Sequence, residues 1–241
     1  MYPIARRIVL RLGATGLLSL AETIASAANH SLEPNGKNEI RLNWQHFVDR
    51  VTALAESRAA RSVQSDDFLR STELMASRID KSDSVIAGAL ASMERRQAAF
   101  HSHSVITRMT PRKTAVAPIV PFEILLLTLD SGYSIPCHDH PGSSVASICL
   151  GGVARVANYD LAGAANGPIL KMRSRSTIGP SQTATLTEQK GNIHTITAVQ
   201  STELLDVFCP PLTAGRFHWY DTKPDPRSSE VLHVRSIRTN T

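Results

Sequence analysis

His138 and His140 stand two positions apart in the stretch Ser134-Ile-Pro-Cys-His138-Asp139-His140-Pro141-Gly142. Alternate residues of a strand point to the same side, so this spacing presents two imidazoles to one point. Two ring nitrogens aimed at one point are what a metal ion requires of a strand. A third donor has to come from elsewhere in the fold. His194, in Gly191-Asn192-Ile193-His194, is the best candidate, because it opens a later apolar run, Ile193 to Val199, able to lie beside the first strand. Three neutral imidazoles with open coordination positions suit iron, zinc, copper or nickel, and spacing alone does not choose among them. Asp206 is the other residue of interest. It is an acid set between Leu204, Leu205, Val207 and Phe208, and such an acid is costly to bury without a partner.

The remaining histidines and the cysteines read more plainly. His101-Ser102-His103 repeats the spacing, but it has no flanking glycines and no third partner, and reads as a surface loop. His218 reads as a barrel or surface residue, and His30, His46 and His233 as structural or exposed. The three cysteines, Cys137, Cys149 and Cys209, are odd in number and form no CxxC pair. A disulfide framework is therefore not expected, and a reducing compartment is favoured. Cys137 neighbours His138 and so points the other way, as a packed core thiol.

These donors need elements to hold them. The first hundred residues read as helical. Trp44, Phe47, Val48, Val51 and Leu54 recur at helical steps behind a capping Asn43. Ser82 to Phe100 is rich in good helix formers, and Asn35-Gly36 marks a turn. At about Thr110 the character changes, and Pro111, Pro118 and Pro121 open an extended region. Short apolar runs follow, split by turn residues: Ile124–Leu129, Val145–Leu150, Val153–Tyr159, Thr183–Thr187, Ile193–Val199, Leu204–Phe208 and Val231–Val234. Ala162 to Pro168 reads as a loop between them. Strands at such spacing predict a sandwich or barrel. The expected organisation is a helical region over residues 1–108 and a mainly β domain over 109–241.

Composition sets the outer limits. A chain of 241 residues, 42% hydrophobic and 20% charged, supports one sizeable core. The net charge of +5 comes from scattered Lys and Arg, with no basic run, so nucleic-acid binding is not expected. No run of about 18 apolar residues occurs, so no membrane span is expected. Met1 to His30 carries three Arg and a single acid, Glu22. It reads as an amphipathic helix, with a mitochondrial leader as the alternative; the expected location is cytoplasmic, or mitochondrial on that alternative.

Glycines sharpen the metal reading. Gly132 precedes His138 by six positions, Gly151 follows His140 by eleven, and Gly191 precedes His194 by three. These positions resemble the two core motifs of the cupin fold, a double-stranded β-helix barrel. A typical cupin carries a Glu four or five residues after the second His, where this chain has Ser144 and Val145. More specifically, Ile135-Pro136-x-His138-Asp139-His140-Pro141-Gly142 resembles the family of cysteamine dioxygenase and the plant cysteine oxidases. Asn192-Ile193-His194, Leu205-Asp206-Val207-Phe208-x-Pro210-Pro211 and Gly215-Arg216-Phe217-His218-Trp219-Tyr220 are similar to three further family segments. The resemblance covers roughly Val120 to Thr222.

The resemblance implies a cupin barrel preceded by helices, with Fe(II) held by His138, His140 and His194. It implies thiol dioxygenase activity: dioxygen adds both its atoms to a substrate thiol, giving a sulfinic acid. The substrate would be cysteamine or another small aminothiol, or a peptide with an N-terminal cysteine, handled by a monomer without nucleic acid or membrane. Asp206 would project toward the site, to hold the substrate amine or orient a ligand ring. The chain departs from the family at Leu212, Phe217 and Trp219, where a Tyr and a cross-linking Cys and Tyr are usual; Tyr159 or Tyr220 could then supply a nearby phenol. Two other readings keep the barrel: a non-catalytic metal- or ligand-binding cupin acting as sensor or structural module, and a different metal-dependent reaction such as isomerisation or carbon oxidation.

Overall fold

Along Thr202–Cys209 successive side chains alternate between two faces, and from Leu204 onward both faces are buried. Leu205, Val207 and Cys209 meet one apolar layer, while Leu204, Asp206 and Phe208 face another. A strand buried on both sides must lie in the middle of three layers. A computed structural model describes residues 44–79, 94–97, 104–109, 122–164, 167–212 and 217–239, and shows those layers.

The outer layer is two helices, α1 (Trp44–Ala59) and α2 (Ser65–Ala76). The helical stripe expected from Trp44 through Leu54 is α1, with Trp44, Phe47, Val51 and Ala55 buried. Asp66 and Asp67 occupy the first turn of α2, where carboxylates complement the helix dipole. Phe47, Val51, Phe68 and Met75 pack on Ile124, Ile148, Leu205 and Val207.

The middle layer is an antiparallel sheet of β1 (Glu94–Gln97), β2 (Ser104–Met109), β3 (Glu123–Leu129), β5 (Ser144–Gly151), β8 (Thr183–Leu186) and β10 (Thr202–Cys209), in the order β1-β2-β3-β10-β5-β8. The third layer is a ring of β4 (Ser134–Asp139), β6 (Ala154–Ala164), β7 (Gly167–Ile178), β9 (Ile193–Ala198), β11 (His218–Asp225) and β12 (Ser228–Thr239). It runs β11-β12-β7-β6-β9-β4 and closes because β11 bonds to both β12 and β4. Leu127, Leu129, Cys149 and Leu204 of the sheet meet Val156, Ile178, Ile196 and Ala198 of the ring in a shared core. All three cysteines are buried, there and in the neighbouring layers.

Each apolar run expected as a strand lies on one. Other expectations need correction. Glu94–Gln97, within the stretch read as helical over Ser82 to Phe100, is strand β1, and Ser104–Met109 is β2. The expected boundary between residues 108 and 109 therefore falls inside a strand. β2 pairs antiparallel with β3 and β1 with β2, and pairing of this kind overrides a weak local helix preference. The loop expected over Ala162 to Pro168 is narrower, because β6 runs to Ala164 and β7 starts at Gly167. β7 leaves no apolar run in the sequence, because only Ile169, Leu170 and Ile178 of its twelve residues are buried. Met1 to His30, Asn35-Gly36, Asn43, His101 and His103, Pro111, Pro118, Pro121 and Gly215-Arg216 lie outside the described residues. Among the described residues no helix is long and apolar enough to cross a membrane.

Candidate metal centre

β4 and β9 run antiparallel with His138 directly opposite His194. Two-residue alternation then puts His140, just past the end of β4, on the same side as His138. The three rings converge. The Nε2 atoms of His140 and His194 are 2.9 Å apart, and those of His194 and His138 3.1 Å. Among the described residues these three form the one cluster of His, Cys, Asp and Glu side chains spaced to hold a metal ion. Two nitrogens bound at right angles to one ion at about 2.1 Å stand about 3.0 Å apart, whereas tetrahedral ones stand about 3.4 Å apart. The two short spacings are near the right-angle value, and all three donor atoms lie within 4.8 Å of one another.

The rings are in the right protonation state for this. All three are buried. Burial lowers the pKa of His138 to about 4, with the Pro136 carbonyl opposing the shift. Burial, reinforced by the neighbouring rings, takes His140 and His194 well below the usual imidazole value. Neutral rings have a lone pair to give. Nδ1 of His138 lies 2.8 Å from the Pro136 carbonyl and donates to it, which leaves Nε2 of that ring as the donor atom toward the centre. The donor set and its spacing therefore fit a divalent metal.

Cys137 and Asp139 take the opposite side of β4. Cys137 packs with Tyr159, Leu170 and Tyr220, and burial pushes its thiol up to about 11. It is a packed neutral thiol, as its position beside His138 predicts. Asp139 is buried and accepts three hydrogen bonds: from the His218 backbone at 2.6 Å, the His218 ring at 2.8 Å and the Tyr220 hydroxyl at 2.9 Å. It latches β4 to β11, and it holds His218 away from the imidazole cluster. The sequence carries a signal for this role: an acid between two inward histidines must find its partners on the other face.

His138 and His140 line a cavity of about 110 Å³ between the sheet and the ring. Asp206 lines the same cavity from β10. It is 3% exposed, and its Oδ1 has no hydrogen-bond partner. Burial pushes the carboxyl up to about 7, against a lowering hydrogen bond from Ser147, its cross-strand neighbour on β5. The other walls are mainly apolar, and among the described residues no Lys or Arg lines them. Val145, at one of the positions where a cupin carries its Glu, packs with Leu125, Leu186 and Phe208. Ser144, at the other, donates to Glu188. Among the described residues no carboxylate joins the three imidazoles.

Leu212, Phe217 and Trp219, the departures from the family pattern, all line this cavity. Trp219 lies opposite His138 across β4 and β11, with ring centroids 4.8 Å apart and planes at 32°. Phe217 meets Trp219 edge-on at 5.2 Å. The phenol expected from Tyr159 or Tyr220 comes instead from Tyr133, which lines the cavity. Tyr159 and Tyr220 face the other way, into the cluster around Cys137. Tyr133 follows Gly132 in the turn before β4, where no strand period fixes a side chain's direction.

Solved structures with partial likeness include a variant of oxalate decarboxylase from Bacillus subtilis, at 17% identity and TM-score 0.38, covering 50% of this chain and 28% of that one. KdgF from Halomonas sp. shows 14% identity and TM-score 0.35 over 50% of this chain and 90% of its own. Oxalate decarboxylase from Lactobacillus farciminis in its formate complex shows 20% identity and TM-score 0.37, with 50% and 31% covered. The chain thus spans under a third of the oxalate decarboxylases it resembles. No curated protein matches it. The family comparison reaches further, matching PCO_ADO over residues 75–235, a span that holds the three histidines, Asp206 and both faces of the barrel. This chain belongs to the plant cysteine oxidase and cysteamine dioxygenase family, whose members are cupin thiol dioxygenases.

Proposed function

We propose that this protein is an iron(II)-dependent thiol dioxygenase that converts the thiol of cysteamine, or of an N-terminal cysteine, to a sulfinic acid. The observation that carries the reading is the convergence of three neutral imidazoles, two of which line a cavity that also holds Asp206. His138, His140 and His194 would hold the iron, which when bound supplies activation of dioxygen and of the substrate thiolate. The balance is simple: one thiol and one dioxygen give one sulfinic acid, with both oxygen atoms on sulfur and no other reductant.

The protein's own groups select the substrate. Asp206, buried and with Oδ1 free to accept, suits an ammonium or amine donor. Among the described residues no cationic side chain lines the cavity to receive a carboxylate. Cysteamine and an N-terminal cysteine residue share an amine beside a thiol and lack the free α-carboxylate of cysteine, so both fit this pattern. The apolar walls keep the reacting groups out of bulk water.

Iron-loaded protein is incubated with cysteamine and with Cys-initiated peptides, and the products are weighed by mass spectrometry. A gain of two oxygen atoms is the expected result; no gain with any thiol would sink the enzyme reading. His194→Ala should remove both metal and turnover, while tightly held zinc without turnover in the native chain would make the protein a binding module.

A further inference from the structure

We propose that Asn192 is a positioning residue of the metal centre, whose carboxamide holds the backbone of His140 and thereby sets where the His140 ring stands relative to His194. The inference rests on the three-imidazole metal site of the proposed function.

The need for such a device follows from where β4 ends. The β4–β9 ladder pairs His138 with His194 and Asp139 with Ile193. The next pair would be His140 with Asn192. Pro141 has no N–H to give, and Gly142 turns the chain with φ +77°, so β4 stops at Asp139 and His140 loses its strand partner. The Asn192 side chain takes that place. Its Oδ1 accepts from the His140 N–H at 2.8 Å, and its Nδ2 donates to the His140 carbonyl at 3.1 Å. Those are the two bonds a facing strand residue would make, supplied by an amide. Nδ2 also reaches the Thr187 carbonyl at 2.9 Å and the Ser143 carbonyl at 3.3 Å. Three carbonyls around the nitrogen and one N–H before the oxygen allow a single orientation of the amide.

His140 depends on this backbone clamp more than His138 depends on its own surroundings. The His138 ring is oriented from behind by the Pro136 carbonyl. The buried Nδ1 of His140 has no hydrogen-bond partner. Edge contact with Phe208 at 5.2 Å restrains the ring sideways but does not orient its nitrogens. The direction of its Nε2 is therefore inherited from the main chain. Asn192 lies two residues before His194, so one amide ties the backbone of one ligand to the strand that carries another.

The test uses the full chain, stripped of metal and titrated with Co(II), whose visible bands report coordination geometry. Wild type is compared with Asn192→Asp, which keeps the shape but turns an oxygen toward the three carbonyls, and with Asn192→Ser, which shortens the reach. Thermal unfolding of the metal-free proteins is followed in parallel. Positioning predicts that Asn192→Asp weakens Co(II) binding by about 10- to 100-fold and alters the band intensities, with a lesser loss for Asn192→Ser. A purely structural role predicts lower unfolding temperatures with wild-type Co(II) affinity and spectrum, and that result would overturn the inference. Should Asn192→Asp fail to fold, Asn192→Ser decides by the same criterion. A wild-type chain that takes up no Co(II) removes the metal site itself, whereas wild-type binding unchanged in both variants removes only the role of Asn192.

Discussion

The two faces of the β10 region are equally buried and chemically unlike. Outward, Leu205 and Val207 sit against α1 and α2 among apolar side chains. Inward, Leu204 and Phe208 flank Asp206, a buried acid with an oxygen left without a partner. Burial on the outer face contributes stability through area and close packing alone. On the inner face the same burial leaves the carboxyl unsolvated and offsets part of that gain. A fold that keeps a costly acid on one face of a strand, with an apolar partner one residue away on the other, separates the work of holding the barrel from the work of its cavity.

Three substitutions bear on this contrast. Leu205→Ala removes packing from the outer face, and should cost about 2–5 kcal/mol in chemical denaturation while leaving metal content unchanged. A parallel loss of metal would mean that the two faces are not separable.

Asp206→Asn acts on the inner face. Burial raises this carboxyl from 3.8 to about 7, so the folded, metal-free chain retains a proton that the unfolded chain releases. Folding stability contributed by that proton is present below about pH 4 and is lost as pH rises to about 7. His138 works in the opposite sense. Its value falls from 6.5 to about 4, so its contribution is present above pH 6.5 and lost as the solution is acidified. Subtracting the two chains isolates the acid: the stability of Asp206→Asn relative to wild type should rise between about pH 4 and pH 7, by a few kcal/mol at most. In the iron-loaded protein, the proposed activity predicts that the same change lowers turnover with metal retained. A flat difference across this range, with unchanged turnover, would make Asp206 an ordinary core residue.

Ser147→Ala is the smallest of the three. Its hydroxyl lowers the Asp206 pKa, so its loss should move the carboxyl further upward, shifting the pH dependence seen against Asp206→Asn to higher pH. No shift would place the hydroxyl outside the carboxyl's surroundings.

Much of the site was legible because strand geometry is local. The two-residue period placed His138 and His140 together and sent Cys137 and Asp139 away. The acid within β10 stood out against its apolar neighbours. What stayed hidden was whatever depends on one element meeting another. Tyr133 reaches the cavity from a turn, and Trp219 stacks on His138 from a strand too polar to announce itself. Asn192 stands in for a missing strand partner that no pattern in its own segment reveals. The helix-like composition around β1 does not show its strand, because its partner, β2, and the next strand, β3, lie elsewhere in the chain.

By itself the sequence determined the donor types, their alternation along β4, and the barrel class, since periods of two and short apolar runs are properties of consecutive residues. The tertiary structure alone decided how far apart the imidazole nitrogens stand, which phenol and which indole share the cavity, and that Asp206 is left without a hydrogen bond to Oδ1. Those quantities depend on the register between strands distant in the chain, and register is set by the packing of all layers together.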